Sequence, residues 1–436
     1  MLSFHEFIKN KAINECVNID SFIDSNQYHS NINEGGAAGH MYHPFEDWDL
    51  TFANIKDLIN KGLSGELNIE EDVVEKTDGQ NIFVTIIDGE VYFARNKGDM
   101  KNPVNLPNFI DRFANHDNKM VRKAYTIAAQ ELSDKLSKLP DNIKNDFENG
   151  LNFLNIEIIF SKNPNVIYYD KDVIQFHNIK KTDGEGNVIS VERSKATEIA
   201  KILKDLNQDI GELFSFIPPQ KILLAKDTNF EENRKKFLSK LEKLQSEFNL
   251  QDNDKVSLYH EMKWRNIINR EFSNVSQDIK EGLLQRWAFE NKKALNWRSL
   301  KKVVDEDQEK KIKKFDKKDA KKVFKDNIRP FEDIILELGS VVLKNASNFL
   351  VLSPDKEKQR LQSEIRNAAE KIKSTGDERE IKKLEFELER LAGIGGIETI
   401  IPTEGLVFTY QGKEYKLTGA YAAANQLLGV LRYPGR

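Results

Sequence analysis

Two stretches of alternating, strand-like hydrophobicity, residues 68–192 and 404–418, flank about 200 residues that read as helix. The second stretch is a single hairpin: Glu404 to Tyr410, a Gln411-Gly412 turn, and Glu414 to Thr418. A lone two-stranded hairpin is marginal in water. It therefore has to complete a sheet begun before residue 192, and the helical block reads as an insertion rather than a tail.

In the first stretch, Asn81 to Ile87 meets Glu90 to Arg95 across Asp88-Gly89. Asp-Gly tolerates the positive φ of a type I′ turn, so a hairpin is predicted. Further strands are expected at 153–160, 166–169, 173–179 and 187–192. Upstream come a weakly periodic, helix-like start, the small-residue segment Gly35 to Met41, and a short helix from Phe52 to Ile59 ending near Gly62. Inside the charged, glycine-poor block, Leu361, Ile365, Ala369 and Ile372 form one apolar stripe. Ile381, Leu384, Leu388 and Leu391 form another, and Ser374 to Asp377 between them predicts an antiparallel helical hairpin. Gly393, Gly395 and Gly396 stop its second helix. The expected units are an N-terminal segment 1–66, a core 67–194, a helical insertion 195–396, and final strands 397–436.

Composition narrows the function classes. Of 436 residues, 66 are Lys or Arg and 70 are Asp or Glu, a net charge of −4, so no polyanion-binding tail dominates. A single cysteine, Cys16, excludes a disulfide framework and a cysteine zinc cage. No run of 18 apolar residues occurs, so no membrane contact is expected. The N-terminus has neither a basic nor an apolar signal region, and a cytoplasmic location is expected.

The sharpest chemical feature is Val74-Glu75-Lys76-Thr77-Asp78-Gly79-Gln80-Asn81. Lys76 would end a strand with its amine in a cleft, and Gly79 would let backbone approach a ligand closely. To act as a nucleophile the amine must lose its proton. At an ordinary pKa near 10.4, only about one molecule in 2,500 is neutral at pH 7, so nearby cations and desolvation would have to lower it. The same tetrapeptide recurs as Lys181-Thr182-Asp183-Gly184, but Glu185-Gly186-Asn187 follows between two short strands, which predicts a turn.

The segment around Lys76 resembles the first motif of the covalent nucleotidyltransferases, the ATP-dependent DNA and RNA ligases and mRNA capping enzymes. Glu75 before the lysine and Asn81 after Gly79 resemble the RNA-ligase branch most. Later segments resemble the family's further motifs in order. They are Phe93-Ala94-Arg95, Asn155-Ile156-Glu157, Val173-Ile174-Gln175-Phe176-His177, Thr403-Glu404-Gly405 and Glu414-Tyr415-Lys416-Leu417. Ile156 stands where the family usually has Gly, His177 where Asp is common, and Thr409 where many ligases have Lys. Together the resemblance covers roughly 70–192 and 397–420.

The resemblance implies an α+β fold with an antiparallel-sheet nucleotidyltransferase core, ATP-grasp-like, carrying a large all-helical insertion. It implies an ATP-dependent polynucleotide ligase of RNA-ligase type, in which Lys76 attacks the α-phosphate of ATP and carries AMP. Glu404 is expected to place Mg²⁺ or Mn²⁺. Glu157 is expected to bind ribose or metal, Arg95 ribose or phosphate, and Lys416 phosphate. Glu75, Gly79 and Asn81 would line the nucleotide, and Phe176 would stack on adenine. Divalent metal needs few carboxylates, because Mg²⁺ keeps several waters. The general likeness extends to phage-encoded enzymes, which would act in the host cytoplasm.

Many ligases append an OB-fold after the last motif, and about 20 residues after Lys416 are too few for one. Residues 281–330 hold 16 Lys or Arg against 9 Asp or Glu, with Trp287, Trp297 and Phe315 interleaved. That stretch is a candidate surface for RNA or a nicked duplex, and equally a solvated helical face with its own core. A protein partner supplying the missing clamp is the other possibility. Two alternatives remain for function: an adenylyltransferase acting on a protein or small molecule, and a degenerate ligase fold used as a binding or assembly module. His40-x-x-His43 with Glu46 and Asp47 invites a metal reading but lacks the helical spacing of zinc proteases.

Overall fold

The computed structural model describes residues 41–206, 213–291, 293–351 and 353–432. Cys16, Gly35 to Gly39, His40 and the helix-like start expected before them lie outside those residues. The chain is α+β, about 54% helix and 17% strand, with antiparallel sheets. Its strands, in chain order, are β1 (Val74–Lys76), β2 (Gln80–Ile87), β3 (Glu90–Ala94), β4 (Val104–Asn105), β5 (Asn152–Ile159), β6 (Val173–Thr182), β7 (Val188–Glu192), β8 (Ser215–Ile217), β9 (Leu223–Leu224), β10 (Ala346–Ser347), β11 (Gly405–Tyr410) and β12 (Lys413–Leu417).

The interrupted sheet closes as expected. β11 pairs antiparallel with both β1 and β12, so the C-terminal hairpin takes up the strand that ends in Lys76. The larger sheet runs β4-β3-β2-β5-β6-β7, with β8 joined parallel to β6. Asp88 and Gly89 both have positive φ, 51° and 83°, which places the expected turn in the mirror-image class that matches strand twist.

Period two sends each strand's side chains to alternate faces. One face of the larger sheet presents Ile82, Val84, Phe93, Ile156 and Phe176 to the helices Leu106–Phe113, Lys119–Ser137 and Arg193–Asp205. The small sheet buries Leu406, Phe408, Tyr415 and Leu417 against the helices Phe52–Ser64 and Ala320–Lys344. Phe52–Ser64 shows how sequence makes such an element. The Thr51 hydroxyl accepts from Asn54 N, and Gly65 closes the other end at φ 78°. Phe52, Ile55, Leu58, Ile59 and Leu63 recur at helical spacing on the buried side. Each such burial contributes about 1.5–3 kcal/mol. An acidic residue at Ile59 would place a charge in that core.

Four expectations differ from the structure. The block 195–396 is not all helical, because β8, β9 and β10 lie within it; strands of two or three residues leave no periodic signal. Its first helix, Arg193–Asp205, packs Ala196, Ile199 and Leu203 into the larger sheet's core, so a boundary at 194 cuts one packing unit. Residues 166–169 form no strand, since the Val166 and Ile167 amides donate to the Asp78 carboxylate at 2.6 and 2.8 Å. The short helix expected from Phe52 runs on to Ser64.

The helical hairpin forms as Pro354–Thr375 and Glu378–Gly393. Its two stripes bury with Ile167, Tyr169 and Leu427 in a third core. A fourth core lies wholly in the helical block and contains Trp264, Phe272 and Trp287, with Trp297 and Phe315 packed against it.

Candidate functional site

Lys76 ends β1 and Glu404 immediately precedes β11. Register places Lys76 opposite Gly405, and the Lys76 amine pairs with Glu404 Oε1, 328 positions away in the chain. The approach needs glycine: a Cβ on Gly405 would lie 2.4 Å from the Leu417 carbonyl oxygen, and its φ is +149°. Val74, Lys76, Val407 and Lys416 share one face of the small sheet, since Val74 and Lys416 both pair with Val407. Glu75 points the other way. It is fully buried, accepts from Leu350 N at 2.6 Å, and burial pushes its carboxyl up to about 7. Strand alternation therefore removes Glu75 from the nucleotide side expected for it and makes it a clasp on the 350 loop.

Asp78 and Gly79 then turn the chain into β2. Asp78 orders the 166–169 loop, and its own amide donates to the Tyr169 hydroxyl at 3.0 Å. Gly79 N donates to Glu157 Oε1 at 3.1 Å. A Cβ at Gly79 would sit 2.7 Å from Glu157 Cγ and from the Ile158 carbonyl oxygen. The requirement here is space. Glu157 is thus held beside the lysine's own loop, with its other oxygen 3.4 Å from Asn81 Nδ2 and 3.6 Å from His177 Nε2. Asn81 also donates to Asn155 Oδ1 at 2.7 Å and to the Ile156 carbonyl at 3.1 Å.

A bulge decides what β6 shows to this side. Ile156 pairs with Phe176 and Asn155 with Asn178, so His177 is an extra residue. Phe176 shares the face of Ile156, is fully buried, and lies 6.2 Å from the Phe216 ring. It does not join the cluster, which corrects the expectation that it stacks on adenine. Gln175, His177 and Asn178 are the residues on the Glu157 side. They were missed because Phe176 fitted the motif order, although Gln175 opposite Glu157 is the alternation signal that finds them. Lys180 also falls on this face, opposite Phe153 and 5.6 Å from the Phe83 ring centroid. Burial lowers its pKa, and Glu414 raises it in opposition.

Arg95 donates to the Asn81 carbonyl and lies 4.8 Å over the Tyr125 ring. That position is at the strand end beside the cluster, with Tyr125 OH pushed up to about 12, first by burial. Thr409, at the expected lysine position, donates to Glu71 Oε2 at 3.0 Å. The second tetrapeptide forms the expected turn: Asp183 Oδ1 accepts from Glu185 N and Asn187 N, and exposed Lys181 pairs with Glu148 at 2.7 Å.

Glu404 and Glu157 do not gather into a cation cage; among the described residues no three His, Cys, Asp or Glu side chains do so. Each is a single carboxylate of the oxygen type that a divalent ion takes alongside phosphate and water. His43 and Asp47 are used locally. His43 N donates to Glu46 Oε2 at 2.7 Å, and Asp47 accepts from Tyr415 OH at 2.6 Å. In the basic stretch, Lys310 pairs with Glu306 at 2.8 Å and Lys313 with Glu309 at 2.6 Å, while Trp287 is core. Those aromatics are accounted for by packing. No described helix is long and apolar enough to cross a membrane. Comparison of the chain with protein-family models, curated proteins and solved structures gives no match.

Proposed function

We propose that the chain is an ATP-dependent nucleotidyltransferase of RNA-ligase type that forms a lysyl-AMP at Lys76 and passes the AMP to a nucleic-acid end. One pairing carries this reading: a strand-end amine and a carboxylate 328 positions apart meet on a face shared with Lys416, while the lysine's loop fixes Glu157. In this reading the Lys76 amine gives its proton to Glu404 and attacks the α-phosphorus. A P–N bond forms, the α–β phosphoanhydride breaks, and pyrophosphate leaves. Lys416 offsets the developing phosphate charge, and Glu157 meets the ribose hydroxyls. Once that proton has moved on, Glu404 would help hold a divalent ion, Mg²⁺ or Mn²⁺, which would supply Lewis-acid polarisation. Positioning and charge neutralisation do most of the work.

The acceptor is the part with a competing reading. Lys310 and Lys313 pair with carboxylates, Trp287 is buried, and Trp297 and Phe315 pack against the same core. That favours, as the second reading, AMP transfer to a protein or small molecule. The test is incubation with α-labelled ATP and Mg²⁺, then denaturing electrophoresis, followed by addition of 5′-phosphorylated RNA or nicked duplex. Label on the protein that moves to nucleic acid supports the ligase. Label that stays on the protein supports transfer to another acceptor, and no label in wild type leaves the binding-module alternative.

A further inference from the structure

We propose that Gln175 reads the nucleobase, its carboxamide pairing with the amino and ring-nitrogen edge of adenine beside Lys76. This rests on the nucleotide reading of the Lys76 site.

Gln175 is the third residue of β6, opposite Glu157 on one side and Ile217 of β8 on the other. Its fully buried side chain has no hydrogen-bond partner at either Oε1 or Nε2. Asn178 Oδ1 and Asn81 Oδ1, on the same sheet face, are likewise buried and unpartnered. Buried polar groups are nearly always satisfied, and leaving one unmet is costly. A core position between Val173 and the bulge would be filled more stably by an apolar residue. Three such groups on one sheet face mark it as built for a polar ligand.

The type of group selects the ligand. A carboxamide offers one donor and one acceptor side by side, fixed in a plane. Adenine presents an amino donor next to a ring-nitrogen acceptor, the complement that Gln and Asn read bidentately. The position agrees: Gln175 is one strand beyond Glu157, which the Gly79 amide holds three residues from Lys76. Phe176, turned to the opposite face, leaves base recognition to its neighbours.

The test uses the full chain with Gln175→Met and Gln175→Glu, read by labelling from α-labelled ATP or GTP and by equilibrium dialysis. Loss of a bidentate pair should raise the KM for ATP between about 5- and 150-fold, with labelling at saturating ATP retained. Gln175→Glu, which only accepts, suits the two adjacent N–H groups of guanine and should shift the ATP:GTP preference at least about tenfold toward GTP. Without nucleotide, Gln175→Met should melt above wild type, because it removes two unmet polar groups. An unchanged KM and ATP:GTP ratio in Gln175→Met overturns the proposal. So does a lower melting temperature, which would show that the carboxamide serves the fold through a structural water. Dialysis separates this failure from that of the transfer reading. ATP bound by wild type and lost in Gln175→Met, with no label on either, keeps the base contact and ends lysyl-AMP formation. Wild type that binds neither nucleotide overturns both.

Discussion

Lys-Thr-Asp-Gly occurs at 76–79 and again at 181–184, and the fold gives the two copies different neighbours. In the first, the lysine ends a strand that β11 pairs with, its amine meets Glu404, Asp78 orders a distant loop, and Gly79 touches Glu157. In the second, lysine and threonine finish β6, Asp183 caps its own turn, and Gly184 sits at φ +80° near solvent. The first copy's lysine reaches a carboxylate 328 positions away, whereas in the second Asp183 bonds only its own turn and Lys181 meets an exposed carboxylate 33 positions away. Four residues of identical chemistry acquire a role only from what the rest of the chain brings to them.

The largest effect expected separates the two lysines. Lys76→Ala should abolish labelling from ATP, a loss of at least about 10³-fold for a missing nucleophile. Lys181→Ala should label at the wild-type rate, since its partner Glu148 is an exposed turn residue. Full labelling of Lys76→Ala would erase the distinction.

Next in size is the residue before each lysine. Glu75 is raised to about 7 by burial, against 4.5 for an ordinary glutamate. In the folded state it holds its proton over a range where the unfolded chain has lost it. Stability from this group is therefore complete below about pH 4.5, falls as pH rises, and levels off above about 7. The full difference approaches about 3 kcal/mol. Gln at position 75 stays neutral, so Glu75→Gln should match wild type near pH 4.5 and melt higher at pH 8. Equal melting curves at both pH values would show that the carboxyl is not desolvated.

Glu404→Ala removes the partner of Lys76 and should slow labelling by about 10²-fold, roughly 2.7 kcal/mol, while folding persists. Glu148→Ala at the second copy should leave the rate unchanged. Wild-type kinetics in Glu404→Ala at limiting Mg²⁺ would reduce that pairing to a surface contact.

The smallest contrast lies in the glycines. Gly79→Ala forces a methyl against Glu157 Cγ and a carbonyl oxygen and should cost about 1–3 kcal/mol in chemical denaturation, with slower labelling. Gly184→Ala has room, 3.6 Å from Leu151 Cδ2, and bears only the left-handed penalty of about 1 kcal/mol, with labelling intact. Equal costs and equal activities would remove the spatial constraint from the first copy.

The sequence by itself determined the strand pairing around Asp88-Gly89, the helical hairpin of 354–393, the turn at Lys181, and the interrupted sheet. Each rests on local periodicity or turn chemistry, which are properties of neighbouring residues. Only the tertiary structure decided which side chains share a face. Motif order pointed to Glu75 and Phe176, yet a three-residue strand turns Glu75 inward onto the Leu350 amide. Regular alternation keeps Phe176 in the first core and turns Gln175 to the other face, and a one-residue bulge after Phe176 adds His177 and Asn178 beside it. Side-chain direction in a strand has period two, so a single inserted residue reverses it. The insertion depends on the partner strand β5, more than 15 residues away in the chain. The basic helices taught the same lesson through packing. Trp287 and Phe315 follow the helical period that a binding face would show, and only the assembled block turns them inward onto Trp264 and Phe272.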